Sequence, residues 1–287
     1  MLDLGRVGRA GSEVLGVRTE TAAAAGATDI IEVEGLSHFF PLEERTAHRD
    51  TSLVKALEKI NLSIPERHFT ALVGTSGCGK TTLLNILAGL EPLQSGRVDV
   101  CGRAPQHGHE DLAYMPARDA LMPWRSVIDN ASFGLEVRGV AKNERYGITR
   151  PILEAVGLGR FENARPRQLS HGMRQRVALA RTFALPSRIL LMDEPFGALD
   201  AQTKQQLQSV LLDLWETDRR TVVLVTHDLQ EAITLSDRVI VMSARPGRIK
   251  ADFSIDIPRP RHVGELVGLP EFISLYQEIR SLVEEGD

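Results

Sequence analysis

The chain has 287 residues, with 34 Lys and Arg against 38 Asp and Glu, and only two cysteines. The formal net charge of −4 gives no overall attraction for nucleic acid, and no stretch approaches the roughly 20 apolar residues that span a bilayer. Two cysteines cannot form a disulfide framework, so the composition favours a protein of a reducing cytoplasm.

The N-terminal part is predicted to hold a tail and two strands. Residues 1–28 are rich in Gly, Arg and Ala, and this composition predicts disorder. They lack the apolar segment of a signal peptide. Strands are expected at about 30–35 and 56–64. Between them, the charged stretch from Pro41 to Thr51 predicts a solvated loop.

A glycine-rich loop follows the next strand. The apolar run Phe69–Val73 precedes Gly74–Thr81, which reads GTSGCGKT, and Leu83–Ala88 continues as a helix. This is the P-loop pattern G-x-x-x-x-G-K-[ST] in its strand–loop–helix context. The loop amides and the helix N-terminus would cradle phosphates, Lys80 would reach the outer phosphates, and the Thr81 hydroxyl would ligate Mg²⁺. The alternative is a chance glycine turn, and the flanking strand and helix both argue against it.

The segment from about 117 to 178 is predicted to be mostly helical, with helices at Val127–Arg138 and Arg150–Val156. It contains Leu169–Arg176, which reads LSHGMRQR and leads into an apolar helical run. Ser170 is placed to be the N-cap of that helix. The free N–H groups at the helix start would then form a second anion site.

Two carboxylates follow the next apolar run, Ile189–Glu194, which reads ILLMDE. A buried strand would deliver both acids at its carboxyl end, beside the P-loop. Asp193 would then hold Mg²⁺, and Glu194 would polarise the attacking water. The same letters also fit a helix N-cap with two acids in its first turn, which Pro195 would suit. The P-loop earlier in the chain favours the strand.

Strands and helices alternate through the rest of the chain. Helices are expected at about 201–218 and 229–235, around a strand at 221–226. This alternation predicts a parallel sheet covered by helices. Two further strands, at 238–243 and 249–255, would complete the core.

The strand at 221–226 ends at His227. A lone histidine at a strand end is more often structural than catalytic, but its position after a P-loop and an acid pair suits a residue that senses phosphate. Near the C-terminus, Glu271–Glu284 predicts a small amphipathic helix. The residues expected on its apolar side are Phe272, Leu275, Ile279 and Leu282.

Five motifs in this order resemble the ATP-binding subunits of ABC transporters. GTSGCGKT resembles their Walker A motif, ILLMDE their Walker B motif and LSHGMRQR their signature. Gly197–Asp200, which reads GALD, resembles the D-loop, and His227 the H-loop switch. Phe40 lies where the family stacks an aromatic ring on adenine. The resemblance covers about residues 29–250.

Within that family, residues 120–130 resemble a stretch of the nitrate, sulfonate and taurine importers, as do 243–249 and 257–261. The resemblance implies an α/β fold: a P-loop NTPase (RecA-like) core with a parallel sheet, an antiparallel β subdomain and a helical subdomain inserted at about 117–178. The ATPase domain would then span 29–250, between the tail at 1–28 and a C-terminal extension at 251–287.

The resemblance also implies a mechanism. Two copies would dimerise head to tail, with each ATP between the Walker motifs of one copy and the signature of the other. ATP would close the dimer, hydrolysis would open it, and the cycle would drive a transmembrane permease, served indirectly by an extracytoplasmic solute-binding protein. The subunit would be peripheral, on the cytoplasmic face of the inner or plasma membrane. Whether the two copies are identical chains is left open.

The same resemblance assigns the site residues. Glu194 and His227 would be catalytic, and Thr81 and Asp193 would be the protein ligands of Mg²⁺. The residues that would contact ATP, in one copy or the other, are Phe40, Gly74, Thr75, Ser76, Gly77, Cys78, Gly79, Lys80, Thr81, Thr82, Ser170, His171, Gly172 and Asp200.

The chain departs from the family pattern at two positions. His171 stands where the signature usually has glycine, which is tolerable if its backbone avoids positive φ. Ala117 stands where the family has the Q-loop glutamine, which contacts Mg²⁺ and the attacking water and links the core to the permease-facing subdomain. Either the register through this segment is off and Gln106 or another group substitutes for that glutamine, or this chain hydrolyses ATP weakly.

Two other classes remain to be weighed. One is a soluble ABC ATPase acting on ribosomes or DNA; such proteins usually carry two such domains or a long coiled coil, and the sequence shows neither. The other is a P-loop GTPase or a small-molecule kinase; a GTPase needs a guanine-reading [NT]-K-x-D segment, and the sequence has none. The transported solute is not encoded in an ATPase subunit. Nitrate, sulfonates, taurine, bicarbonate or a vitamin precursor are all compatible with the subgroup.

Overall fold

The computed structural model describes residues 28–41, 53–197 and 199–285. The predicted disordered tail, except Thr28, and the predicted loop after Pro41 lie outside these residues. The strands are β1 (Asp29–Pro41), β2 (Leu53–Pro65), β3 (Phe69–Val73), β4 (Ser95–Val100), β5 (Leu112–Met115), β6 (Ile189–Asp193), β7 (Thr221–Val225), β8 (Arg238–Met242) and β9 (Ile249–Ser254). The α-helices are α1 (Lys80–Leu87), α2 (Val127–Ala131), α3 (Phe133–Val137), α4 (Lys142–Ala155), α5 (His171–Ala184), α6 (Ala201–Thr217), α7 (Leu229–Leu235) and α8 (Pro270–Glu284).

The main sheet has the strand order β5-β6-β7-β3-β8-β9. All of its neighbouring pairs are parallel except β8 and β9, which are antiparallel. Every residue of β3, β6 and β7 is buried, as expected for parallel strands that helices cover on both faces. The predicted parallel-sheet core is confirmed, and the carboxyl ends of β3, β6 and β7 meet at one edge.

A second sheet, ordered β2-β1-β4, is fully antiparallel. It is joined to the main sheet by two backbone hydrogen bonds between β2 and the turn after β8: the Glu58 N–H donates to the Gly247 carbonyl, and the Gly247 N–H donates to the Ala56 carbonyl, both at 2.9 Å. The predicted antiparallel subdomain is therefore present. Leu57 of β2, which pairs with His38 of β1, lies against Gly79 in the loop after β3.

The helical subdomain is more broken than the sequence predicts. The helix expected at Val127–Arg138 divides into α2 and α3 at Ser132, whose backbone leaves the helical region with φ −90° and ψ 3°. The helix expected at 150–156 begins earlier, at Lys142, and continues through Pro151. Proline has no N–H and normally ends a helix, which is why the local sequence pointed to a later start.

The C-terminal helix α8 packs against the main sheet through the face that the sequence predicts. Phe272 and Ile279 are buried, and Leu275 and Leu282 pack on the same cluster. Strand β9 crosses residue 250, where the ATPase domain was predicted to end, and pairs with β8 along its length. Within the described ranges, no helix is both long and apolar enough to cross a membrane.

Candidate functional site

The loop after β3 has a backbone that only glycine suits. Gly74, Gly77 and Gly79 have φ of 152°, 79° and 100°, in the region that L side chains rarely adopt. A Cβ on Gly79 would lie 2.6 Å from Leu57 Cδ2, and one on Gly74 would lie 2.7 Å from the Met242 carbonyl oxygen. The loop is thus packed tightly between β2 and β8 and leads directly into α1.

Lys80 is the first residue of α1 and is only 5% exposed. Its Nζ donates to the carbonyl oxygens of Gly74 at 2.7 Å and Thr75 at 3.0 Å. The ammonium group is therefore held at the loop that the sequence predicts to bind phosphate. Cys78 in the same loop is buried and packs into the core cluster under β1 and β2.

Thr81 meets the Walker B strand. Its Oγ1 donates to Asp193 Oδ1 at 3.0 Å. Burial raises the pKa of the Asp193 carboxyl, the Thr81 hydrogen bond opposes that shift, and the charge of Glu194 adds to it. A hydroxyl and a carboxylate oxygen are hard donors of the kind Mg²⁺ takes, and two protein ligands beside a phosphate loop leave the other positions to phosphate and water. The residues present therefore fit a magnesium ion.

Glu194 and His227 lie side by side at the ends of β6 and β7. Glu194 Oε2 is 3.3 Å from His227 Nδ1. The Glu194 N–H donates to the Val225 carbonyl at 2.9 Å, and its φ of 44° turns the chain sharply after Asp193. The alternative of a helix N-cap at this acid pair is wrong, because α6 begins only at Ala201. The His227 side chain is 57% exposed, so it is not a core histidine.

Phe40 lies near the end of β1 and is 38% exposed. Its ring meets the buried His38 ring edge to face, with centroids 4.7 Å apart. His38 thus supports one edge of Phe40, and a partly exposed ring remains available for stacking.

The signature residues begin α5 as the sequence predicts. Ser170 is the N-cap, with its Oγ accepting from the Met173 N–H at 3.3 Å. His171 is helical and escapes the positive φ that would have strained it. Gly172 packs on α6, where a Cβ would lie 2.7 Å from Thr203 Cγ2. Among the described residues, no hydrogen bond joins Ser170, His171 or Gly172 to the P-loop, Asp193, Glu194 or His227.

Of the D-loop, Asp200 caps α6, and its Oδ1 accepts from the Thr203 N–H at 3.0 Å. That hydrogen bond lowers the pKa of the Asp200 carboxyl. The structure thus brings together the P-loop, Asp193, Glu194 and His227, and it sets Asp200 at the start of the helix that Gly172 contacts.

Comparison with known proteins decides the family. Residues 57–197 match the model of the ABC transporter family. The chain is 42% identical to a taurine import ATP-binding protein of Rhizobium johnstonii over 90% of this chain and 98% of that protein. It is 40% identical to a nitrate import ATP-binding protein of Synechocystis over 80% and 88% of the two chains. The chain belongs to the ABC transporter family.

A solved structure agrees with this assignment. A dimeric ATP-binding cassette in a post-hydrolysis state with ADP and Pi superposes with a TM-score of 0.68, at 28% identity, over 79% of this chain and 100% of that one. An uncharacterized ABC transporter ATP-binding protein of Methanocaldococcus jannaschii is 46% identical over 89% of this chain and 91% of that protein. The chain is thus an ABC ATPase that binds and hydrolyses ATP, with the P-loop NTPase fold that its sequence predicts.

In this ABC ATPase, Ala117 follows β5 at the same edge of the sheet as Asp193. Met115 pairs with Met192 in parallel register, so the chain after β5 leaves beside the Walker B acids. Ala117 is exposed and has no side-chain acceptor. Gln106, the suggested substitute for the Q-loop glutamine, packs against Gly89 after α1. A Cβ on that glycine would lie 2.3 Å from the Gln106 backbone.

Side chains of α5 hold the segment that follows Ala117. Arg174 Nε donates to Asp119 Oδ2 at 2.9 Å, and Arg181 donates to the carbonyls of Asp119 at 2.7 Å and Ala120 at 2.9 Å. Gln175, fully buried, reaches the Ala117 carbonyl at 3.5 Å. Sequence reasoning expected Arg174 and Arg181 to pair with acids on helix faces, but it did not connect these three residues with the segment after Ala117. Arg174 and Arg181 are seven apart, so they share a helix face, and that spacing was the available signal.

The exposed surface of the helical subdomain includes Trp124, which is 69% exposed. The loop that carries it is fixed by the buried Asn130, whose Oδ1 accepts from the Met122 N–H at 2.7 Å and whose Nδ2 donates to the Met122 carbonyl at 3.1 Å. Trp124 is therefore not part of the subdomain core. Leu121, in contrast, is partly buried and packs against that core.

Proposed function

We propose that this chain is the ATP-hydrolysing subunit of an importer for a small solute, with nitrate and sulfonates such as taurine as the first candidates. Relatives of 40–42% identity are named as nitrate and taurine import ATP-binding proteins. The observation that carries the assignment is the meeting of Thr81 with Asp193 beside the paired Glu194 and His227. These residues lie at one edge of the sheet, where we propose that they form the ATPase site.

Each protein group has a step in the proposed reaction. The loop amides and Lys80 hold the β- and γ-phosphates of ATP. Thr81 and Asp193 would hold a magnesium ion, which supplies charge neutralisation on those phosphates when bound. Glu194 accepts a proton from the attacking water, and His227, whose Nδ1 lies 3.3 Å from Glu194 Oε2, contacts the γ-phosphate. Phe40 stacks on adenine.

The site is completed by a second copy. Ser170, His171 and Gly172 at the start of α5 would act on ATP bound by the partner, and the exposed helical subdomain would face the permease. ATP bridges the two copies only in the closed state, so its binding favours closure and its hydrolysis releases it. We place the assembly on the cytoplasmic face of the membrane, with a solute-binding protein on the other side.

The test is reconstitution. The tagged chain is purified together with the permease that is encoded by a neighbouring gene. The complex is placed in liposomes and supplied with a solute-binding protein loaded with nitrate, taurine or another sulfonate. ATP hydrolysis that rises with one loaded solute, together with uptake of that solute, supports the proposal. Purification with ribosomes in place of a membrane protein, or a preference for GTP over ATP in competition, would contradict it.

A further inference from the structure

The helices that follow the D-loop and the H-loop are joined by one lysine. Lys204 lies one turn into α6, and its N–H donates to the Asp200 carbonyl at 2.9 Å. Its Nζ reaches across to α7, at 2.6 Å from Asp228 Oδ2 and 3.0 Å from Glu231 Oε2. Asp228 directly follows His227 and caps α7 by accepting from the Glu231 N–H at 3.1 Å.

The link that Lys204 makes between α6 and α7 also reaches the signature residues at the start of α5. Thr203, next to Lys204, is the residue against which Gly172 packs at the start of α5. The signature, the D-loop and the H-loop, which are predicted to contact nucleotide or the partner copy, are therefore connected within one subunit. The path runs from Gly172 through Thr203 and Lys204 to Asp228, which adjoins His227.

The Glu231 end of the link lies in the interior. Glu231 is 3% exposed, and its Oε1 has no hydrogen-bond partner among the described residues. It borders a cavity of about 160 Å³ that Gln208, Thr234 and Val263 also line. Burying a carboxylate with only one cationic partner costs desolvation free energy. This ion pair therefore stabilises the contact between the two helices less than apolar packing of the same volume would.

We propose that Lys204 is a positioning residue, which transmits the position of the signature and D-loop to the switch His227 through its bond to Asp228. The proposal rests on the nucleotide-sensing role proposed for His227. An ordinary surface ion pair would contribute little and would not matter to turnover. This one ties the residue after His227 to the helix that Asp200 caps, so a shift of α6 on dimer closure moves the switch.

Glu231 makes the strength of the link depend on pH. The groups that face it are Lys204 from α6, Asp228 from its own helix and the Thr226 hydroxyl from the end of β7. Burial raises the pKa of Glu231 to about 7, Lys204 opposes that shift, and Asp228 adds to it. Above that pH Lys204 is held by two carboxylates, and below it by Asp228 alone.

The experiment compares three variants in the assembled transporter. Lys204→Met is expected to lower kcat by about 5–10-fold with less than about a twofold change in KM for ATP, a loss typical of one coupling between sites. Lys204→Arg keeps a cation within reach and should restore most of the rate. Arg188→Met is the matched control, because it breaks an exposed pair with Glu66 just before β6, outside the helical subdomain, and should leave the rate unchanged.

A pH series separates positioning from simple support of the fold. Glu231→Gln should remove the part of the rate increase that wild type shows between about pH 6 and pH 8, since the glutamine cannot ionise. A Lys204→Met protein with the wild-type rate, or a Glu231→Gln profile that matches wild type, overturns the inference. If the wild-type assembly showed neither ATP hydrolysis nor solute uptake, the proposed function itself would fail, so the two failures are distinct.

Discussion

Glu194 combines a strained backbone with a carboxylate beside His227. A positive φ is rare for a residue with a side chain and is retained mainly at functional sites. Replacing the carboxylate by an amide removes the proton acceptor and keeps the shape. We expect Glu194→Gln to bind ATP normally, to lower kcat by about 10²–10⁴, and to accumulate as an ATP-bound dimer.

Steady-state ATPase and size-exclusion chromatography with ATP measure the two halves of this prediction. The exposed acid Glu32 on β1 offers a control, because Glu32→Gln makes the same chemical change away from the site. Normal turnover by Glu194→Gln would remove Glu194 from the role of general base.

Ala117 tests how much one hydrogen bond adds at the attacking water. Water can replace a glutamine carbonyl on Mg²⁺, so ATP affinity should change little. A mobile water orients the nucleophile less well than a fixed side chain does. We expect Ala117→Gln to raise the ATPase rate of the assembled transporter several-fold, since about 1.4 kcal/mol of transition-state stabilisation corresponds to tenfold in rate.

The matched variant is Ala117→Leu, which adds bulk without an acceptor. Equal rates for wild type and Ala117→Gln would mean that another residue already does this work. A rise with leucine as well would point to packing in place of hydrogen bonding.

Helix α5 holds the segment after Ala117 through Arg181. Truncating this side chain leaves the carbonyls of Asp119 and Ala120 without their donor. We expect Arg181→Met to cost about 1–3 kcal/mol of unfolding free energy and to speed amide exchange at 117–121. Denaturant unfolding and hydrogen exchange measure both effects, and the exposed Arg167 in Arg167→Met is the control. Unchanged exchange would show that α5 does not hold this segment.

Met122 belongs to the loop that presents Trp124 on the helical subdomain. The Asn130 amide fixes the Met122 backbone, so the side chain can be shortened without freeing the loop. We expect Met122→Ala to lower transport per ATP hydrolysed while the isolated subunit keeps its stability. Liposome uptake and ATPase, measured together, give that ratio. Unchanged transport would remove Met122 from the surface that contacts the permease.

Elements whose ends are fixed by backbone chemistry could be predicted from the sequence, and those fixed by distant side chains could not. Glycine at the P-loop and Ser170 at the start of α5 announce their conformations locally. The break at Ser132 carries no such signal, and α4 continues through Pro151. The bonds from Arg181 to Asp119 and from Lys204 to Asp228 join residues 62 and 24 positions apart, and no local pattern encodes such pairs.

Across the fold, the carboxyl edge of the main sheet gathers the residues that we propose as one half of a nucleotide site. The P-loop, Asp193, Glu194 and His227 share that edge, and α5 makes no hydrogen bond to them within the described ranges. The similar solved cassette is a dimer. The proposed division of the site between two copies would make turnover depend on assembly, so the ATPase rates of the variants are to be measured in the assembled transporter.

Glu231 gives the whole fold a measurable dependence on pH. Its pKa rises from 4.5 in the unfolded chain to about 7 in the fold. The folded state therefore binds the proton more tightly, and the stability that this contributes is fully present below pH 4.5 and is lost as pH rises through about 7. The loss between about pH 6 and pH 8.5 is on the order of 1.4 kcal/mol.

Glu231→Gln does not titrate, so the difference in unfolding free energy between this variant and wild type should shift by that amount over the same range, in favour of the variant at high pH. Urea unfolding at a series of pH values measures the difference, and titrations of other groups cancel in it. A difference that stays flat would mean that Lys204 neutralises Glu231 fully. Ionised Glu231 therefore lowers the stability of the fold above about pH 7. The link through Lys204 to the residue after His227 gives a functional reason for a carboxylate at this position.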